Sequence, residues 1–113
     1  MIRLPIQLVE WLARCGILTR PNFLYSNVLE TPSVDEVTSD LIYHEIREGY
    51  SKWLHLRCPV CGDHIQLESA LPKPDWTVTV DWLRRPTISP SIWERDSCGA
   101  HFFVRRGYVV WCK

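Results

Sequence analysis

Neither sign of charge predominates in this 113-residue chain: lysine and arginine total 13, aspartate and glutamate total 13, and the formal net charge is zero. A chain without net positive charge has no whole-protein field for gripping nucleic acid or an anionic membrane, although a local basic patch stays open. No apolar run is long enough to span a bilayer. The N-terminal MIRLPIQLVEWLARCG carries glutamate and arginine inside its apolar pattern, so it lacks the clean hydrophobic stretch of a secretory signal. These absences predict a cytoplasmic protein whose cysteines stay reduced. Five cysteines, an odd number, also suit a fully paired disulfide framework poorly. Low-complexity tracts and repeats of solenoid length are missing as well.

What is present argues for one ordered globular domain. Hydrophobic residues make up 46% of the chain and aromatics 12%, too apolar for disorder. Six tryptophans suit a small β-rich fold, which can fill broad packing surfaces with few residues. Residues 5–15 read as a helix: Pro5 fits a first helical position, Ile6, Val9 and Leu12 form an apolar stripe with Leu8, Trp11 and Cys15 beside it, and Gly16 is a natural stop. FLYSNVL, after the Arg20-Pro21-Asn22 turn signal, fits a strand. Across 31–50, Ser33 and Glu36 match a capping box, and Val37, Leu41 and Ile42 fit a helix running towards Gly49.

From about residue 52 the pattern turns to β. KWLHL, HIQLE, WTVTVDW, TISPSI, HFFVRR and YVVW are short, rich in β-branched and aromatic residues, and bounded by proline, glycine or charge. FFVRRGYVVW reads as a hairpin turning at Arg106 and Gly107. The expected architecture is α+β and mostly β: an N-terminal helical segment over 1–50 joined to a small antiparallel β region over 51–113.

The chemistry-bearing pattern is CPVCG at 58–62 together with SCGAH at 97–101, a C-x2-C-x36-C-x2-H arrangement. CPVCG alone fits a redox pair, half of a metal site or half of a disulfide framework. A redox pair belongs to a βαβ context, whereas here a strand-like HIQLE follows. Two half-sites of matching gap suit the four tetrahedral ligands of zinc, so Cys58, Cys61, Cys98 and His101 are the expected metal ligands. His55 and His64 are substitutes for one of them. His44 is expected at the surface, Cys15 as a buried free thiol on the helix, and Cys112 as a strand residue outside the site. A closed four-ligand site leaves no position for water or substrate, so the chain is expected to be a non-enzymatic, zinc-stabilised module.

Other candidates are weaker. Ser89 and Ser91 lie among prolines without a G-x-S-x-G elbow and read as turn residues. Asp75 and Asp81 share a strand face and read as solvated. The doublets Arg84-Arg85 and Arg105-Arg106, with Trp82, Trp93 and Phe103 nearby, form a candidate binding surface, for a protein first and for nucleic acid in the alternative.

KWLHLRCPVCGDHIQL, WTVTV, PTISPSIW and CGAHFFVRRGYVVWC together resemble a bacterial and phage family of unknown function. Its pattern runs KWL-x-x-RCPCGCG-x-x-I-x-L, a tryptophan, PS[IV], then C-x-x-H-[FY]-W-[IV]-x-x-G-x-[IV]-x-W. Residues 50–112 carry the resemblance. It places Cys58, Cys61, Cys98 and His101 on the positions read as the family's metal ligands, Pro90, Ser91 and Ile92 on PS[IV], and Gly107 and Trp111 on the final hairpin. The shorter CPVCG and Phe103 in place of the family's tryptophan are departures. Some relatives look to be encoded beside genes for ubiquitin-like conjugation, which implies an accessory role in protein modification or phage defence for those members; the chain itself is expected to act as a binding or adaptor module. A nucleic-acid-binding zinc ribbon is the alternative, and a metal-dependent enzyme, needing an open coordination position, the third reading.

Overall fold

The computed structural model describes residues 3–70 and 72–112. Among the described residues one α-helix, α1 (Ile6–Arg14), precedes eight strands: β1 (Leu24–Val28), β2 (Leu41–Arg47), β3 (Tyr50–Arg57), β4 (His64–Glu68), β5 (Thr77–Val80), β6 (Pro86–Trp93), β7 (His101–Arg105) and β8 (Tyr108–Trp111). They form two four-stranded sheets, ordered β1-β2-β3-β4 and β5-β6-β7-β8, so the mostly-β α+β expectation holds. All pairings are antiparallel except β1 with β2, which run parallel.

Alternating apolar residues put one face of each sheet into a shared core. Ile42, Leu54, Leu56, Ile65 and Leu67 come from the first sheet, Ile88, Ile92, Phe102 and Val104 from the second, with Phe23 between them. The chain reverses tightly at Glu48-Gly49 and again at Arg106-Gly107, where both residues of each pair have positive φ. That is the backbone of a two-residue hairpin turn whose twist matches the flanking strands. α1 is tied to the β5–β6 turn by the Leu4 amide on the Trp82 carbonyl, and Val9 is its buried residue.

Residues 31–50 depart from a helix. Ser33 and Glu36 do form the capping box, but the helical piece is a single 3-10 turn, Val34–Glu36. Leu41–Arg47 then becomes β2, because its β-branched and aromatic side chains gain more from pairing on both edges than from a lone helix. The loop between β1 and β2 crosses the outer face of the first sheet. Arg57 fastens it through the carbonyls of Val37 and Val34, and Tyr43 through that of Glu36. Beneath it Glu45 and His55 are buried, and their 3.1 Å contact continues to His64.

Candidate active site and metal centre

Two loops at one end of the sandwich carry the cysteines. Between β3 and β4 the chain closes a tight turn, with the Gly62 amide on the Cys58 carbonyl at 3.0 Å and the Cys58 amide on that of Asp63 at 2.8 Å. Gly62 takes φ +77, a left-handed conformation cheap for glycine alone. Between β6 and β7, Gly99 plays the same part, its amide on the Glu94 carbonyl at 2.8 Å. The sulfur atoms of Cys58, Cys61 and Cys98 consequently lie within 4.8 Å of one another, and Cys58 and Cys98 are 3.5 Å apart. Tetrahedral thiolates on zinc sit roughly 3.8 Å apart given bonds of about 2.3 Å, so the spacing suits a metal ion. Ser97 donates to Asp63 at 2.6 Å and ties the two loops together.

The thiols differ in acidity. The Asp63 amide lowers Cys61, but desolvation and hydrogen bonds with Cys98 and Cys58 outweigh it and push this thiol up to about 11. Cys98 is held below the usual thiol range, chiefly by the Ala100 amide and then by Cys61 and Cys58. Three thiols at this spacing could hold a metal ion, and binding one would release their protons.

His101, the expected fourth ligand, stands apart from this group. It opens β7 on the outer face of the second sheet, where its Nε2 lies 2.9 Å from Ser91 Oγ. Ser91 is placed by a break in register: Ile88 pairs with Val104 and Ile92 with Phe102, so β6 spends four residues where β7 spends two. Such bulges turn a side chain out of the regular ladder, here towards the histidine. The Trp76 indole donates to the Ser91 carbonyl at 3.3 Å and holds this stretch of backbone. Trp93 pairs with His101 across the strands, its ring stacked on the imidazole at 5.2 Å between centroids and 22° between planes. Ser91 and His101 are both partly exposed.

The remaining expected residues scatter. Trp82 is exposed in the β5–β6 turn, at the opposite end of β6 from Trp93. Arg84 is spent inside, donating to the carbonyls of Leu4 and Tyr25, and Arg85 pairs with Asp81 at 2.6 Å. Arg105 lies over Phe103, and Arg106 forms the β7–β8 turn. Trp82 therefore lies at the other end of β6 from Trp93, while Phe103 shares the outer face of β7 with His101, and the arginine doublets sit at the β5–β6 and β7–β8 turns. His55 and His64 bond each other and stand outside the cysteine group. Cys15 is exposed at the helix end instead of buried, because the apolar stripe sinks only at Val9; Cys112 follows β8. His44 is buried, not superficial, 2.8 Å from the Tyr25 hydroxyl and 2.7 Å from Ser51 Oγ, which also meets Ser69 at 2.9 Å.

Residues 28–112 match the model of a family described as the bacterial ubiquitination-like system serine protease (BubE). That description overturns the expectation of a non-enzymatic module. The closed-site reasoning behind that expectation concerned only the metal, whereas a serine protease needs a hydroxyl and a base, and Ser91 and His101 are a hydroxyl and an imidazole in hydrogen-bond contact. The nucleic-acid reading gains nothing from it. No curated protein and no solved structure matches the chain. Among the described residues no helix is long and apolar enough to cross a membrane.

Proposed function

The chain belongs to the BubE family of bacterial ubiquitination-like system serine proteases, and we propose that Ser91 is its nucleophile, His101 its general base, and a ubiquitin-like protein or one of its conjugates its substrate. The carrying observation is the 2.9 Å approach of Ser91 Oγ to His101 Nε2 on an accessible face. In this reading the Ser91 hydroxyl donates to Nε2. Oγ attacks the scissile carbonyl carbon while its proton passes to Nε2. Collapse breaks the C–N bond, and the amine leaves with that proton, giving an acyl ester on Ser91. Water then attacks the ester, His101 takes and returns a second proton, and the acid departs as Ser91 regains its hydrogen.

The three thiols fit a zinc ion with a structural duty. An ion such as zinc would be held by Cys58 and Cys61 from one loop and Cys98 from the other, and would cross-link the two loops there. Cys98 stands three residues before His101, so fixing its loop also fixes the start of β7, where the base is mounted.

The His44–Ser51 contact is the rival pair. Its serine is shared with Ser69 inside a hydrogen-bonded chain, which reads as a satisfied buried network. The test is cleavage of a ubiquitin-like protein extended at its C-terminus by a reporter. Ser91→Ala and His101→Ala should each lower the rate by at least about 100-fold, and Ser51→Ala should leave it unchanged. Wild-type cleavage by Ser91→Ala would overturn the assignment.

A further inference from the structure

A histidine that serves a serine must keep one nitrogen on the hydroxyl, and proteases of this kind commonly use a carboxylate on the other nitrogen for that purpose. Among the described residues no carboxylate bonds or ion-pairs with His101. What stacks on the ring is Trp93. We infer that Trp93 is the positioning residue for His101: the stacked indole does by packing what an acid does elsewhere by hydrogen bonding. The inference rests on the reading of Ser91 and His101 as nucleophile and base.

The strand register makes the contact close. The Glu94 amide bonds the Ala100 carbonyl at 2.8 Å, and the Cys112 amide bonds the His101 carbonyl at 2.9 Å. His101 therefore spends its backbone on β8, and with Trp93 forms a non-hydrogen-bonded pair of the β6–β7 ladder. Side chains approach most closely at such pairs. Near-parallel rings at 5.2 Å leave the imidazole little room to turn about its χ2, so Nε2 stays on Ser91. The indole face is electron-rich and also favours the imidazolium that forms when His101 takes the serine proton. The Arg95 guanidinium lies 5.3 Å from the centroid of the same indole, so Trp93 is itself gripped by its neighbour. Exposure of 55% at Trp93 means its contacts with His101 and Arg95, not core packing, hold it in place.

The test is the reaction of the full chain with a fluorophosphonate, in which a Ser91 Oγ–P bond forms and fluoride leaves with the hydroxyl proton. Rates over a range of probe concentrations separate the limiting rate, kinact, from the half-saturating concentration, KI. Trp93→Ala and Trp93→Leu should both lower kinact by about tenfold or more with KI within about twofold, and Trp93→Phe should restore it to within about threefold. Leucine keeps bulk without a flat ring, which separates stacking from space-filling. Wild-type kinact in the alanine and leucine variants, or a phenylalanine variant no faster than alanine, would overturn the role of Trp93. Labelling of Ser91→Ala at the wild-type rate would instead overturn the Ser91–His101 reading itself, so the two failures are distinguishable.

Discussion

His44 is an ordinary-looking residue of the sequence that the fold makes unusual. It sits between the Tyr25 hydroxyl and Ser51, and burial, helped by the charge of Arg3, holds its imidazole below the ordinary 6.5. The unfolded chain therefore takes up a proton before the folded one. The stability His44 contributes is complete above pH 6.5 and is lost as pH falls from there through the lowered folded value. The melting temperature of the wild type should drop more steeply between pH 7 and pH 5 than that of His44→Gln; parallel curves would mean that His44 does not carry the dependence. At this scale the sequence hid as much as it showed. Ser91 lies in TISPSIW without a nucleophile elbow, and His101 in a C-x2-H spacing that reads as metal-binding. Their meeting depends on a register break between two strands, which no local pattern encodes. The available signal was that both residues fall inside the ordered PS[IV] and C-x-x-H elements of one family pattern.

Elements were legible where a local rule decides them. The helix near residues 5–15 and the hairpin at Arg106-Gly107 follow from capping, periodicity and turn chemistry. The β7–β8 turn is also fastened at long range, since the Gly107 amide bonds the Pro86 carbonyl at 2.7 Å and its carbonyl accepts from Phe23 at 2.9 Å. At φ +81 a β-carbon on Gly107 would press against the Phe23 carbonyl and Pro21. Gly107→Ala should cost about 2 kcal/mol or more in denaturant unfolding; a variant as stable as wild type would show that the turn can shift. β2 was not legible, because its partners β1 and β3 and the loop that covers it are what make it a strand. The same loop encloses Glu45, whose carboxyl burial pushes up but hydrogen bonds from His55 and Thr31, with Arg47 beside it, hold below the usual range. Glu45→Ala removes the partner of buried His55 and should cost about 2–3 kcal/mol, with Glu45→Gln milder because it keeps an acceptor. Equal unfolding midpoints for the two variants would contradict that account.

For the molecule as a whole, the cysteine cluster that could hold a metal is the seam between the sheets. Cys58 and Cys61 stand on the β3–β4 loop of one sheet and Cys98 on the β6–β7 loop of the other, so an ion there would join them across 36 intervening residues. A structural zinc can contribute on the order of 10–16 kcal/mol of apparent binding free energy, against about 5–15 kcal/mol of net stability for a typical domain. Purified protein should hold about one zinc per chain, and a strong chelator or Cys98→Ser should lower the melting temperature markedly and slow Ser91 chemistry with it. An unchanged melting temperature after complete metal removal would exclude the structural duty. The cysteine halves of this seam were legible from spacing alone. The Ser91–His101 pair proposed as catalytic was not, because a single histidine satisfied the metal pattern and the serine reading required the folded ladder. The central claim is tested most directly by locating the fluorophosphonate adduct in the full chain by peptide mass spectrometry. The account predicts the adduct on Ser91, absent from Ser91→Ala and strongly reduced in His101→Ala; an adduct on Ser51 beside His44, with Ser91 unmodified, would contradict it.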